Sequence, residues 1–187
     1  QMENALKRKD EKRVGELLGG AELAAYDLPQ KPNRAHTLNI ACAMLERIDG
    51  QSGSVREHGE AALALLGEDG RAARYAAAER HLNEALPDWP VAFEHALVNH
   101  MFFEQFPFQD RDEGLCDEFV AICAVYVVLR VLCVCAMAGQ SEQTVFVDAM
   151  AATFRFIDHT AFDRYGAHLL KTIGCADEAG LAELVTL

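Results

Sequence analysis

Apolar residues recur every three or four positions through most of the chain, which is the spacing of one face of an α-helix. No stretch combines strict apolar and polar alternation with the β-branched residues of a strand. We therefore predict an all-α fold, a bundle or array of eight or nine helices. The predicted helices are Glu3 to Leu18, Ala35 to Ile48, Val55 to Leu66, Arg71 to Leu86, Val91 to Gln105, Gly114 to Ala138, Glu142 to His159, Ala161 to Thr172 and Glu178 to Leu184.

Glycine and proline mark the predicted helix ends. Gly19-Gly20 and Gly139 stand where helices stop, because glycine readily adopts the left-handed conformation of a C-cap. Pro90 stands near a first turn, where its missing N–H is harmless, and Asp88 before it is the predicted N-cap.

The domain prediction follows from the length of the chain and from its loops. A chain of 187 residues with 51% hydrophobic content is long enough to bury one sizeable core. The polar loop at 49–54 is the best internal break, but both sides are short and uniformly helical. We predict one domain over residues 1–187, with helix pairs in 1–86 and a C-terminal bundle in 91–187 as subregions.

The segment from Phe119 to Ala138 is apolar and long enough to raise the question of a membrane span. Arg130 lies just past its middle, and a charge at the centre of a lipid-exposed helix costs about 2.5–3.5 kcal/mol. Aromatic belts and flanking basic runs are missing. We predict a central buried helix near 114–138, no membrane partner and, since the N-terminus carries no apolar export signal, a cytoplasmic location.

The charge of the chain bears on its partners. A formal net charge of −12 and a pI near 4.9 repel phosphate backbones, and no basic stripe with interleaved aromatics offsets this field. The one basic cluster, at 7–13, alternates with acidic residues as a solvated helix face does. We therefore predict that nucleic acid is not a partner of this chain.

The six cysteines form no CxxC pair. Cys133 and Cys135 point about 200° apart on a helix, so they cannot share one tetrahedral metal ion. Most of the cysteines lie in apolar helical runs, where a thiol behaves as a small hydrophobe. We predict buried structural thiols in a reducing compartment.

The best polar constellation lies around Arg155 and His159, which are four residues apart on one helix face. Asp148 precedes Arg155 by seven residues and projects to the same side, with Asp158 at its edge. A carboxylate can orient a histidine as a base, while an arginine can hold the carboxylate of a substrate or cofactor. The alternative is a network that only satisfies partly buried polar groups.

A metal site is considered on the helix that carries Glu94, His95, His100 and Glu104. His95 and His100 are five residues apart, about 140° around a helix, and no HExxH or ExxH pattern is present. Capping and solvated pairs explain these residues, so we predict no metal site in this chain.

The aromatic residues around Pro107 are predicted to plug the core, although a substrate groove could use the same rings. They are Phe93, Phe102, Phe103, Phe106 and Phe108.

The chain has no GxGxxG or phosphate-binding glycine loop after a strand, no GxSxG turn and no credible Cys-His nucleophile pair. A conventional α/β nucleotide cradle is therefore absent from the predicted fold.

Several sequence elements between Val91 and Leu187 occur in an order and spacing that resemble the C-terminal part of the flagellin lysine-N-methylase family. They are Glu94 with Asn99 before Phe106-Pro107, Asp117-Glu118-Phe119, Tyr126 with Leu129-Arg130, Phe154-Arg155 with Asp158-His159, and Gly180-Leu181-Ala182-Glu183-Leu184. Enzymes of this family transfer methyl groups to flagellin lysines, which implies S-adenosylmethionine as donor and a flagellin-like protein as substrate.

The resemblance also implies an N-terminal cluster of closely spaced cysteines that binds a metal or an iron–sulfur centre. This chain has no such cluster, so we expect it to correspond to the part downstream, with any metal centre outside it and no activity alone. Its expected role is substrate recognition or part of the active site, with Arg155, His159, Asp158 and Glu94 as catalytic candidates. The alternative is a non-catalytic helical module that binds a ligand or dimerises.

Overall fold

The computed structural model describes residues 4–5, 8, 10–19, 32–48, 53–107 and 114–187, and these residues form helices and connecting turns without a strand. The helices within these ranges are α1 Glu11–Gly19, α2 Arg34–Leu45, α3 Ser54–Leu66, α4 Arg71–Ala85, α5 Trp89–Phe103, α6 Leu115–Ala136, α7 Gln143–Asp158, α8 Phe162–Thr172 and α9 Glu178–Val185, with a 3₁₀ turn at Glu46–Ile48. The predicted all-α, multi-helix fold is confirmed.

Helix α6 is the centre of the fold. It packs against α2, α3, α4, α7, α8 and α9, and its residues from Val120 to Cys135 are largely buried. By length and composition alone it could cross a membrane, but 67% of its apolar window is buried inside this fold. The burial supports the predicted core helix.

The charge of Arg130, which lies inside this apolar helix, is stabilised by partners on α4, on α5 and on α6 itself. Its Nη2 lies 2.8 Å from Oε1 of Glu79 on α4, and its Nη1 donates to the Tyr126 hydroxyl at 2.6 Å. The other oxygen of Glu79 accepts from Arg34 at 2.9 Å. The guanidinium also lies over the Trp89 ring, 5.6 Å from its centroid. The charge that argued against a membrane span is thus neutralised within the protein.

The helix ends differ from prediction at the starts of α1 and α5. Helix α1 begins after Asp10, whose carboxylate accepts from the Arg13 amide at 3.0 Å, so one continuous helix from Glu3 was wrong. Asp88 occupies the N-cap position of α5 as predicted, but its side chain makes no cap hydrogen bond, and the helix starts at Trp89 with proline next. Gly139 has the expected positive φ of 73°, while Gly20 lies outside the described residues.

The aromatic plug was wrong for two of its members. Phe93 is buried, but Phe102 and Phe103 are 78% and 69% exposed. Both stand on the last turn of α5, whereas Phe93 packs edge-on against Trp89 and Tyr126. Phe106 is half-buried, and Phe108 lies outside the described residues.

The cysteine prediction holds for the thiols on the core helices. Cys42, Cys123, Cys133 and Cys135 are buried, and all six cysteines are free. Burial raises the pKa of Cys123 to about 11, because an apolar surrounding disfavours the thiolate. Cys116 is exposed and Cys175 is half-buried.

Candidate functional site

A cavity of about 210 Å³ lies between α5, α6 and α8. Its residues recur at four-residue spacing on α6 and α8, so each helix contributes one continuous stripe. The lining consists of His100, Met101, Glu104, Asp117, Glu118, Ala121, Ile122, Val125, Asp163, Arg164, Ala167, His168 and Lys171. We call this recess the acidic cavity.

The acidic cavity combines an apolar wall with an excess of carboxylates. Met101, Ala121, Ile122, Val125 and Ala167 supply aliphatic surface. Four acidic side chains line it against one arginine and one lysine. Lys171 Nζ lies 2.8 Å from Asp117 Oδ2, and since both side chains are more than 40% exposed, this pair contributes little to stability. The arrangement suits a ligand with an aliphatic stem and a positively charged end.

A second recess, which we call the polar pocket, adjoins the acidic cavity and shares His100, Glu104, Asp163 and Arg164 with it. Its volume is about 240 Å³, and it adds Asp158 and Thr160 from the end of α7 and the turn that follows. The two recesses therefore lie side by side and share part of their walls.

His100 also lines a third recess, an apolar groove of about 360 Å³ between α5 and α7. This α5–α7 groove is formed by Ala96, Asn99, His100, Phe103, Val147, Met150, Ala151, Phe154 and Asp158. The His100 ring rests against Phe154 with centroids 5.3 Å apart. His100 is thus the residue at which the acidic cavity, the polar pocket and the α5–α7 groove meet.

The structure separates the residues that the sequence grouped on α7. Asp158 lines the polar pocket, and its Oδ1 lies 3.8 Å from His100 Nδ1. The Oδ2 atom of Asp148 instead lies 3.0 Å from Nε2 of His58 on α3. Arg155 and His159 are exposed and line neither the acidic cavity nor the polar pocket. Their catalytic role stays a prediction.

Glu94 occupies a different recess from Asp158. It is exposed on α5 and lines a shallow depression of about 420 Å³ with Trp89, Phe93, Tyr126 and Arg130. The Arg130 guanidinium already covers the Trp89 and Tyr126 rings. The depression is therefore already occupied by one cationic side chain, that of Arg130. The catalytic role of Glu94 also stays a prediction.

Several residues of the site were missed by sequence reasoning, chiefly Asp163, Arg164 and His168 on α8. The signal available was the four-residue spacing of Asp163, Ala167 and Lys171, which indicates one helix face but not what lies opposite. Asp117 and Glu118 were noticed only as the start of the apolar helix. Their place in a cavity depends on how α8 packs on α6.

Comparison with known protein families places the chain in one of them. The family described as the FliB lysine N-methylase C-terminal domain matches residues 6–181, which is nearly the whole chain. The match therefore includes the N-terminal helices that the sequence resemblance, read from Val91 onward, did not cover. Neither the curated proteins nor the solved structures yield a match.

Proposed function

Since the chain belongs to the family of FliB lysine N-methylase C-terminal domains, we propose that it binds the protein substrate of lysine methylation and receives the target lysine in the acidic cavity. The flagellin link implied by the sequence resemblance makes a flagellin-like protein the proposed substrate. The cytoplasm is the proposed location, because S-adenosylmethionine is made there and lysines are accessible before export.

The observation that carries this proposal is the chemistry of the acidic cavity. A lysine side chain has four methylene groups and one ammonium, and such side chains bury the stem along apolar surface while the charge stays at a polar rim. The wall of Ile122, Val125 and Ala167 fits the stem, and the carboxylates of Glu118 and Asp163 fit the ammonium. The net charge of −12 favours approach of a lysine-bearing partner.

The exposed aromatic pair on α5 supports binding of a protein rather than a free amino acid. Phe102 and Phe103 lie on the same helical turn as His100, Met101 and Glu104, which line the acidic cavity. Exposed aromatic side chains beside a polar recess are typical of protein-binding surfaces. A dimerisation module would use the same pair, and light scattering separates the two: the proposal predicts a monomer at micromolar concentration.

We propose that neither the acidic cavity nor the depression beside Glu94 holds the methyl donor. The acidic cavity, at about 210 Å³, is smaller than the about 300–1,000 Å³ of sites that hold ligands of cofactor size. In the larger depression beside Glu94, Trp89 and Phe93 are buried and Arg130 lies over the tryptophan ring, so adenine has no open ring to stack on. Our proposal therefore assigns this chain no step that involves the donor.

The proposed function is tested by the affinity of the 187-residue chain for purified flagellin, measured by fluorescence anisotropy. A double variant, Glu118→Gln with Asp163→Asn, should weaken binding by about tenfold or more, the equivalent of about 1.4 kcal/mol or more. Glu84→Gln, an exposed carboxylate on α4 that lines none of these recesses, is the matched control and should bind as the unmodified chain does. Equal affinity of the double variant and the control would refute the proposal.

A further inference from the structure

Three side chains that could bind a metal ion converge at the polar pocket, two from the end of α5 and one from the end of α7. His100 and the residue after α5, Glu104, are one turn apart, and Asp158 approaches them from the end of α7. Each offers one ligand atom, and these atoms all lie within 4.8 Å of one another. Imidazole nitrogens and carboxylate oxygens are both ligands that Zn²⁺ and other divalent transition metals accept.

The state of His100 is the second observation. Its side chain is 6% exposed, and its Nδ1 lies 3.8 Å from Asp158 Oδ1, beyond hydrogen-bonding distance. Within the described part of the chain the imidazole has no hydrogen bond, only the ring contact with Phe154 and this long approach. Buried polar side chains are normally paired. A cation between the ring and the two carboxylates would give this imidazole a polar partner.

We propose that His100, Glu104 and Asp158 bind one divalent transition-metal ion, of which Zn²⁺ is the representative. Ligands about 2.0–2.2 Å from Zn²⁺ lie about 3.4 Å from one another in a tetrahedral site. The three side chains therefore need to approach by about 1 Å, which rotation about their side-chain bonds allows. Three protein ligands leave the fourth position open to water or to an oxygen of a bound partner.

The surrounding charges are compatible with this ion. Arg164 lines the same pocket and opposes a cation, while Asp163 adds a third carboxylate beside the two ligands. The metal site uses Glu104 of the acidic cavity but neither Glu118 nor Asp163, the two carboxylates proposed for the lysine ammonium. The inference does not rest on the proposed function, because the ligand geometry of these three side chains is independent of any lysine-bearing partner.

The experiment is calorimetric titration of the full 187-residue chain with Zn²⁺ alone, in a Cys116→Ser and Cys175→Ser background. This background removes the accessible thiols, of which Cys175 lies 3.7 Å from His36. We expect one ion per chain with micromolar or tighter affinity. Asp158→Asn and Glu104→Gln should each weaken binding at least tenfold, and Zn²⁺ should raise the Tm of the background chain but not that of Asp158→Asn.

The matched control is His58→Ala, which removes the other histidine–aspartate pair, that of His58 with Asp148. It should leave the affinity and stoichiometry of Zn²⁺ unchanged. Asp158 is partly exposed, so its variant is expected to fold, and circular dichroism checks this. No saturable binding below about 100 µM, unchanged binding by folded Asp158→Asn, or loss of binding in His58→Ala would each overturn the proposal.

Discussion

The backbone of Gly166 on α8 lies directly against the side chain of Ala124 on α6. A Cβ atom added to Gly166 would come within 2.6 Å of Ala124 Cβ, closer than real Cβ contacts allow. The small residues thus let the two helices approach, and neighbouring Ala167 and Asp163 line the acidic cavity from the same helix. The spacing of α6 and α8 therefore sets the width of the candidate site.

Gly166→Ala should destabilise the protein, since the added methyl group forces α8 away from α6. Overpacking of this kind costs about 1–3 kcal/mol. The control is Gly15→Ala on α1, where the new methyl group would meet nothing within 4 Å. It should leave the free energy of unfolding unchanged or raise it by up to about 1 kcal/mol. Urea unfolding followed by circular dichroism measures both, and a similar change in the two variants would contradict the close packing.

The second prediction concerns Glu79, the carboxylate shared by Arg34 and Arg130. Glu79→Gln leaves the Arg130 charge in the core without its counter-charge, because these two side chains are only 13% and 15% exposed. We expect a loss of about 3 kcal/mol, the lower end for breaking a buried ion pair.

The surface pair of Arg56 and Glu60, about half exposed on both sides, supplies the control for Glu79. Glu60→Gln should cost about 0.5 kcal/mol or less. Chemical denaturation of the two variants at the same pH gives the comparison. Should Glu79→Gln prove as mild as Glu60→Gln, the Arg130 network is not what stabilises the charge in α6.

The third prediction distinguishes the cysteines by reactivity. Burial raises the pKa of Cys123 to about 11 and that of Cys135 to about 12, and only the thiolate reacts rapidly with iodoacetamide. At pH 8 the folded chain should be alkylated at Cys116 first and at Cys175 more slowly. Peptide mass spectrometry identifies the sites, with the urea-unfolded chain, labelled at all six, as control. Rapid labelling of Cys123 in the folded chain would be inconsistent with its position in the core.

The fourth prediction is that this chain does not bind S-adenosylmethionine detectably and transfers no methyl group by itself. The physical reasons are the small volume of the acidic cavity and the lack of an open aromatic ring in the depression beside Glu94. Isothermal titration calorimetry with S-adenosylmethionine tests it, and the flagellin titration shows that the same preparation is competent to bind. Micromolar affinity for the donor would contradict this prediction and place a donor site in this chain. Arg155, His159 and Glu94 would then be the first residues to substitute.

The fold was largely predictable because it follows from local periodicity. The three- and four-residue spacing gave the helices from α2 onward to within a few residues, and the apolar run around Arg130 indicated the central helix. The exception in α1 arose from a local hydrogen bond, since the Asp10 side chain caps a new helix. Whether 1–187 is one domain stays a prediction.

The candidate site was less predictable because it depends on contacts between helices. Spacing along α5 argued correctly that His95 and His100 do not share a face, yet it could not reveal that Asp158 of α7 approaches His100. Likewise, Phe102 and Phe103 have the composition of core residues, and only the packing of α5 shows that they face outward. Sequence periodicity identifies which residues share a helix face. The tertiary structure determines which residues of other helices pack against that face.

The claim that the acidic cavity receives a lysine side chain is tested most directly by NMR. The ¹H–¹⁵N spectrum of the chain is followed during titration with a flagellin-derived peptide that contains one lysine, and with the same peptide carrying norleucine there. Norleucine keeps the aliphatic stem and removes the ammonium. We predict that the lysine peptide shifts the amides of Glu118, Ile122 and Ala167, and that norleucine weakens this response at least tenfold. Equal responses to the two peptides, or shifts confined to other helices, would contradict the account.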